Sequence, residues 1–356
     1  MALTRRLMLT APALALSSAD AGVRLPRKVR LGVLDLEGHV GEILTPLPQA
    51  PDVDVVAIAH PSAEAVARQK KNPRLGAAKH YADWRRMLDS ETLDVVAVCN
   101  ANRPRAEAIL ACLERKLHVI AEKPIALSRA DLVKIRTAVS KAGAKLSTLL
   151  PMRFSPVYLA MKQIAASGEI GEVINISSQK SYKAGDRAAW MKRRQTYGGT
   201  IPWIGIHMID LMRFTSGAEM KDAFSWQARI GAPPGIGEME NTTGSIFRME
   251  NGGVAVLHMD YCRPETAATH GDDRLRLAGT KGVLEYQAST GLTVMSAGRK
   301  LEVIRELPPA QSVFLDFLQH AFNSRPAALG FEDIYRSNLA TIAAQEAAES
   351  GRPVRV

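Results

Sequence analysis

Cysteine is scarce in this chain. Among 356 residues only Cys99, Cys112 and Cys262 occur, at spacings that suit neither a zinc site nor a disulfide framework. Buried thiols are the expectation for such isolated cysteines. Long apolar runs are also missing. The only candidate, the stretch after Arg5-Arg6 that ends at Leu16, is too short to cross a bilayer. No membrane span is therefore expected. The net charge is +10, from 46 Lys and Arg against 36 Asp and Glu. Yet no long basic run and no basic patch interleaved with aromatics accompanies it, which argues against nucleic acid as a partner. The local cluster Lys192-Arg193-Arg194 reads as a solvated loop, or else as an attractor of an anionic substrate group or cofactor phosphate. Internal repeats and low-complexity segments are absent.

What is present is a rhythm of apolar runs. VRLGVLD (29–35), VDVVAIA (53–59), LDVVAVC (93–99) and LHVIA (117–121) are separated by segments of helix length. Near-continuous apolar runs of this kind read as parallel strands buried on both faces. Their alternation with helices implies a doubly wound sheet with right-handed crossovers. The fold class is α/β: an N-terminal Rossmann-like domain over 28–150 and a C-terminal α+β domain over 151–356. In the second half, strands are expected at 172–182, 223–230, 242–249, 253–262, 273–278 and 283–286. From 223 onward they follow one another without intervening helices, so the second sheet should be open and antiparallel or mixed. Helices are expected at 155–167, 311–322 and 331–349.

The motif that carries chemistry is Glu122-Lys123-Pro124. It ends an apolar run, so Lys123 falls at the carboxyl edge of a parallel strand, where open α/β sheets bind ligands. A lysine desolvated there can serve as a base. His207 lies on a glycine-led helix with Asp210 three residues on. The two share a helix face, and Asp210 could orient the imidazole. Trp203, four residues before His207, could offer an apolar platform to a sugar face. His258 and the pair His270 and Asp272 belong to strands and are read as substrate hydrogen-bonding groups. Imidazoles and carboxylates also suit a divalent metal, but no metal site is expected, since nothing in the spacing brings these pairs together.

A dinucleotide fingerprint needs glycines where the first strand turns into its helix, so that the backbone can reach a pyrophosphate. Here those positions fall on Asp35, Glu37 and Val40. Gly38 and the neighbouring His39 remain as turn residues that could meet a cofactor. Two carboxylates near a pyrophosphate cost energy at close range. The second strand ends in His60 rather than in the acid that holds ribose hydroxyls, which could tolerate a 2′-phosphate. Any dinucleotide is expected to bind in a shifted pose.

The chain resembles the Gfo/Idh/MocA oxidoreductases, the relatives of glucose-fructose oxidoreductase and inositol dehydrogenase. The resemblance rests on TLDVVAVCNANRPRAEAILACLERKLHVIAEKPIALS, GEIGEVINI, GGTIPWIGIHMIDLMRF and HGDDRLRLAGTKGVLE. It implies an NAD- or NADP-dependent dehydrogenase acting on a sugar, cyclitol or related polyol. It places Lys123 beside the nicotinamide and the reacting hydroxyl, with His207 assisting. Asn100, Asn102 and Glu122, at strand edges, would contact the cofactor. It also implies a homo-oligomer formed through the C-terminal sheet. Family members usually carry Asp where this chain has Trp203. The alternative is a redox-inactive relative that binds or processes carbohydrate without hydride transfer.

The N-terminus reads as an address. Thr4-Arg5-Arg6-Leu7-Met8-Leu9 matches a twin-arginine signal, and Ala19-Asp20-Ala21 supplies a small-residue cleavage site. Residues 1–27 are read as signal peptide and linker, and the mature protein as periplasmic or secreted. N-terminal sequencing of periplasmic material should find a chain beginning near Gly22. An unprocessed cytoplasmic protein in the native host would refute export.

Overall fold

The computed structural model describes residues 22–356. The twin-arginine segment and its cleavage site lie outside the described residues. The first sheet comprises β1 (Val29–Leu34), β2 (Val53–Ala59), β3 (Lys79–Tyr81), β4 (Val95–Val98), β5 (His118–Ala121) and β6 (Leu146–Thr148). All are parallel, in the order β3-β2-β1-β4-β5-β6. The chain reverses its direction of travel across the sheet between β1 and β4, which opens a crevice at their carboxyl ends. Val95 to Val98 are all fully buried, as expected of a central strand covered by helices on both faces. Helix starts follow local chemistry. The helix Arg129–Ala142 is capped by Ser128, whose hydroxyl accepts from the Asp131 N–H, and it ends at Gly143 with φ of 66°.

The second sheet is built from β7 (Val173–Lys183), β8 (Met220–Ala228), β9 (Thr242–Met249), β10 (Val254–Arg263), β11 (Gly271–Gly279), β12 (Gly282–Gln287), β13 (Gly291–Ser296), β14 (Arg299–Ile304) and β15 (Val354–Arg355). Its order is β14-β13-β12-β11-β7-β10-β9-β8-β15. It is mixed: β7 and β10 run parallel and the other pairs antiparallel. Burial alternates along β9 and β10, so one face packs inward and the other stays open.

The two halves are joined by more than the linker near residue 150. On the last long helix, Phe331–Ser350, Ile334, Tyr335 and Ile342 belong to the first core, while Ala340, Ala343 and Ala344 belong to the second. Asn338 on the same helix accepts the Ile125 N–H at 3.0 Å, just past the Glu-Lys-Pro motif. The helix Ile206–Ser216 is buried on almost every side.

That burial corrects the reading of Asp210. Its carboxylate accepts from Arg153 at 2.9 Å (Nε) and 2.5 Å (Nη2), and from the Ser337 hydroxyl at 2.8 Å. Asp210 is 1% exposed and Arg153 2%. The i, i+3 spacing does place the two residues on adjoining strips of the helix, but a buried guanidinium has claimed the carboxylate. Asp210 is a structural tie, and the charge beside it is what it satisfies. Asp210→Ala should cost about 3–5 kcal/mol of stability, because it leaves the buried Arg153 with only the more exposed Asp333 as a counter-charge. Chemical denaturation would measure this. Full stability with lost turnover would return Asp210 to catalysis.

Candidate active site

The segments that follow β4 and β5 converge on one buried arginine. Arg105, fully buried, donates from Nη1 to the carbonyls of Lys123 and Pro124, each at 2.9 Å, and to Asn102 Oδ1 at 2.8 Å. Its Nη2 is bonded to the Asn100 carbonyl. Burial lowers the guanidinium pKa to about 10, so the group stays charged at neutral pH. Nothing in the sequence marked Arg105. Its only signal is a basic residue one turn into a helix whose neighbours are apolar.

This scaffold also separates the two asparagines. Asn102 is saturated: its amide donates to the Tyr197 carbonyl at 2.7 Å and its oxygen accepts from Arg105. It therefore ties the two halves together, and at 1% exposed it is placed as a structural bridge rather than as the cofactor contact expected above. Asn100 is different. It is 4% exposed and its side-chain oxygen has no partner among the described residues. An orphaned acceptor at the edge of the crevice is the kind of group a ligand satisfies.

Lys123 is 1% exposed. Its Nζ donates to the Trp203 carbonyl at 2.6 Å and lies 3.2 Å from the centroid of the Trp203 ring. Burial pushes its pKa well below the ordinary lysine value, against the pull of Glu122, with Arg105, Lys180 and Arg187 adding to the depression. His207 is 6% exposed, and its Nδ1 has no partner. Burial, then Lys123 and His39, hold its pKa well below the usual value, so it is a neutral imidazole. Trp203 is thus a lid on the lysine as well as a cleft wall.

Both residues line a cavity of about 610 Å³ between the two sheets, together with Glu37, Gly38, His39, Trp203, His270 and Asp273. Tyr182, Arg187 and Tyr286 complete its wall. Of the expected substrate groups, His207, Trp203 and His270 reach this cavity. His258 and Asp272 do not. They sit on the open face of the second sheet, where His258 Nε2 pairs with Gln179 at 2.9 Å and Asp272 with Arg274 at 2.8 Å. The cause is strand parity: alternate side chains face opposite ways. The inward residues are their neighbours, Lys180 and Asp273, which pair across β7 and β11 at 2.9 Å. Lys180 is fully buried; burial opposes its charge, but Tyr182 and Asp273 outweigh that and raise its pKa.

The turn after β1 keeps an unusual backbone. Asp35 has φ of 67° and Gly38 φ of 64°, both left-handed, a conformation that favours glycine. The Asp35 carboxylate accepts its own neighbour's N–H, Leu36, at 2.8 Å. His60 Nε2 lies 3.5 Å from Asp35, and Glu37 accepts from the Trp190 indole at 2.8 Å. Asp35, Glu37 and His60 each present a ligand atom within 4.8 Å of the others. Burial raises the Asp35 pKa. Glu122 is fully buried and bonded to His39 Nδ1 at 2.5 Å. Burial opposes its ionisation, but His39, Lys123 and Arg105 outweigh it and hold the pKa below the usual value.

Two family profiles match. "Oxidoreductase family, NAD-binding Rossmann fold" covers residues 37–149, and "GFO/IDH/MocA C-terminal domain" covers 158–285. The chain belongs to the GFO/IDH/MocA oxidoreductase family. The Rossmann match begins at Glu37, after β1 and Asp35. Myo-inositol 2-dehydrogenase of Thermotoga maritima is 25% identical over 343 residues, 92% of this chain and 98% of that one. A Thermotoga maritima structure described as an oxidoreductase superposes with a TM-score of 0.84 at 29% identity, over 92% of this chain and all of that one. Levoglucosan dehydrogenase, solved with NADH and levoglucosan, shares the fold with a TM-score of 0.79 at 19% identity, over 93% of this chain and 100% of that one.

The residues present accept the family's dinucleotide in shape. The left-handed turn and the orphan oxygen of Asn100 suit a nucleotide lying across the carboxyl ends of β1 and β4. The carboxylates of Asp35 and Glu37 oppose it in charge. Replacing both with glycine should tighten NAD binding, by ~1 kcal/mol per carboxylate, the bulk-water Coulomb value at about 4 Å. Calorimetry would measure this, and unchanged or weaker binding would show that these side chains do not face the cofactor.

Proposed function

We propose that the protein interconverts a secondary hydroxyl and a carbonyl on a sugar, cyclitol or related polyol. The observation that carries this reading is Lys123. It is a desolvated amine at the carboxyl edge of β5, in one cavity with His207 and with polar groups from the second sheet. When bound, a nicotinamide supplies the hydride acceptor or donor. The chain does the rest. Lys123, as free amine, takes the hydroxyl proton or returns it in reverse. Neutral His207, with Nδ1 unpaired, hydrogen-bonds the reacting oxygen. The Trp203 ring excludes water from the lysine. His270, Tyr182 and Asp273 face the same space and suit the remaining hydroxyls. The named inositol and levoglucosan dehydrogenases support this substrate class.

Two further readings belong to the same proposal. Ile174, Trp226, Ile246 and Val254 are 39–58% exposed on the open face of the second sheet, and such a patch suits a homo-oligomer interface. The arginine pair and cleavage motif at the N-terminus support an exported enzyme that loads its cofactor before leaving the cytoplasm. The competing non-redox reading draws on one observation, the acidic turn of Asp35 and Glu37.

In the oxidation direction Lys123 must be unprotonated. Its pKa is depressed, so kcat/KM should rise with pH and level off well below the ordinary lysine pKa, leaving activity near neutrality. Lys123→Met should lower turnover by about 10²–10⁴ and remove that rise, with a smaller change in substrate affinity. A screen of polyols with NAD and NADP makes the measurement. Dehydrogenase activity that survives Lys123→Met would put the chemistry elsewhere. Carbohydrate binding without turnover would favour the non-redox reading.

A further inference from the structure

The proposed reaction releases a proton among groups that solvent barely touches. Lys123 is 1% exposed, His207 6% and Glu122 not at all. The Trp203 ring lies across the lysine. Two imidazoles of the cavity reach outward, His270 on the second sheet and His39 on the turn after β1, and of the two only His39 packs against the ring of His207 and bonds Glu122. His39 is 36% exposed at its side chain. It lines the inner cavity with Lys123 and His207, and it also lines a second cavity of about 440 Å³ on the other side of the turn, whose rim includes exposed Gly41, Thr45 and Gln49. Among the groups that line both cavities are only Gly38, which has no side chain, and His39.

The position of His39 is built. A Cβ on Gly38 would come within 2.5 Å of Glu122 Oε1, so only glycine lets the turn lie flush against that buried acid. The next side chain then bonds it, Nδ1 to Oε1 at 2.5 Å. The carboxylate fixes the ring and its orientation, leaving Nε2 as the atom that takes and gives up protons. The ring stands edge-on to His207, with centroids 5.4 Å apart, and 5.9 Å from that of Trp203. This is within reach of a direct contact or of one bridging water. Glu42, whose carboxyl burial raises in pKa, is a further acid on the outer cavity.

Resting on the oxidoreductase reading, we propose that His39, braced by Glu122, is the proton exit of this site. In each oxidation the substrate C–H bond breaks with its electron pair passing to oxidised nicotinamide. The O–H proton passes to the Lys123 amine, and C=O forms. The ammonium proton then moves to His39 Nε2, directly or through His207, and His39 releases it to water in the outer cavity. Lys123 is restored as free amine. Reduction runs the same path inward.

The test is chemical rescue. His39→Gln retains a donor for Glu122 but cannot carry a proton. At saturating NAD and polyol in weak buffer its turnover should fall by on the order of 10- to 100-fold, within the range for a lost acid–base group. Added imidazole should restore it in a concentration-dependent way while leaving the wild type unaffected. Stopped flow with a pH indicator gives a second readout. In the wild type, protons and NADH should appear together. In the variant, protons should lag behind NADH, and imidazole should abolish the lag. A variant that turns over like the wild type, or one whose loss is indifferent to imidazole with protons and NADH still in step, overturns the relay and leaves the oxidoreductase reading standing. A wild type that oxidises no polyol overturns both.

Discussion

A single buried guanidinium organises the catalytic edge. Arg105 spans the ends of β4 and β5, holding the carbonyls of Asn100, Lys123 and Pro124 and the side chain of Asn102. Burying such a charge is expensive unless its donors are matched; four oxygens accept from Nη1 and Nη2, and Nε is left without a partner among the described residues. The consequence is geometric. With the main chain of Lys123 pinned, its side chain has one way out, under Trp203 and toward His207. The cost of burying Arg105 is thus also what makes the lysine position reproducible, and a base must be placed before it can be tuned.

Tuning then follows from what surrounds the lysine. Burial lowers its pKa, and the cations Arg105, Lys180 and Arg187 push the same way. Glu122 is bonded to His39, Asp210 to Arg153 and Asp273 to Lys180. Among the described residues no carboxylate bonds Lys123 directly, and the pull of Glu122 on it is Coulombic. Lys123 Nζ donates instead to the backbone carbonyl of Trp203. A carbonyl accepts a hydrogen bond without supplying a full charge, so this contact keeps the lysine oriented while leaving it free to lose a proton.

The sequence made the four central strands of the first sheet plain because buried parallel strands are written as apolar runs, and the Glu-Lys-Pro edge followed from the position of β5; β3 and β6, three residues each at the two edges, escaped. The second sheet was legible in outline, through alternation and turns, although β13, β14 and β15 at its edges escaped. Side-chain facing was harder. His258 and Asp272 were read as facing the substrate, yet Asp273, one residue on, is the group in the cavity. A one-residue error reverses a strand's faces, and sequence alone fixes parity only where one face is clearly apolar. Asp210 and Asn102 show a second limit. Each has the composition of a site residue, and each is consumed by a partner distant in sequence, Arg153 or Tyr197, that no local spacing reveals.

The turn after β1 joins these arguments. Dinucleotide folds place glycine there so that the backbone can approach a pyrophosphate. Here Asp35 adopts the left-handed conformation despite its side chain, at a cost of order 1 kcal/mol or more. Its carboxylate recovers part of that by capping Leu36. Gly38, the glycine that remains, serves a different neighbour: it makes room for Glu122 rather than for phosphate. The turn has therefore kept the path of a nucleotide-binding loop while its side chains have been put to other uses. Glu37 reaches across to Trp190 of the second half, and His39 engages Glu122, the acid next to Lys123. A loop that in a standard site touches only the cofactor is here bonded both to the other half of the molecule and to the reacting edge. Changes in this turn should accordingly be felt in cleft geometry and proton traffic as well as in nucleotide affinity, because the same few residues carry all three.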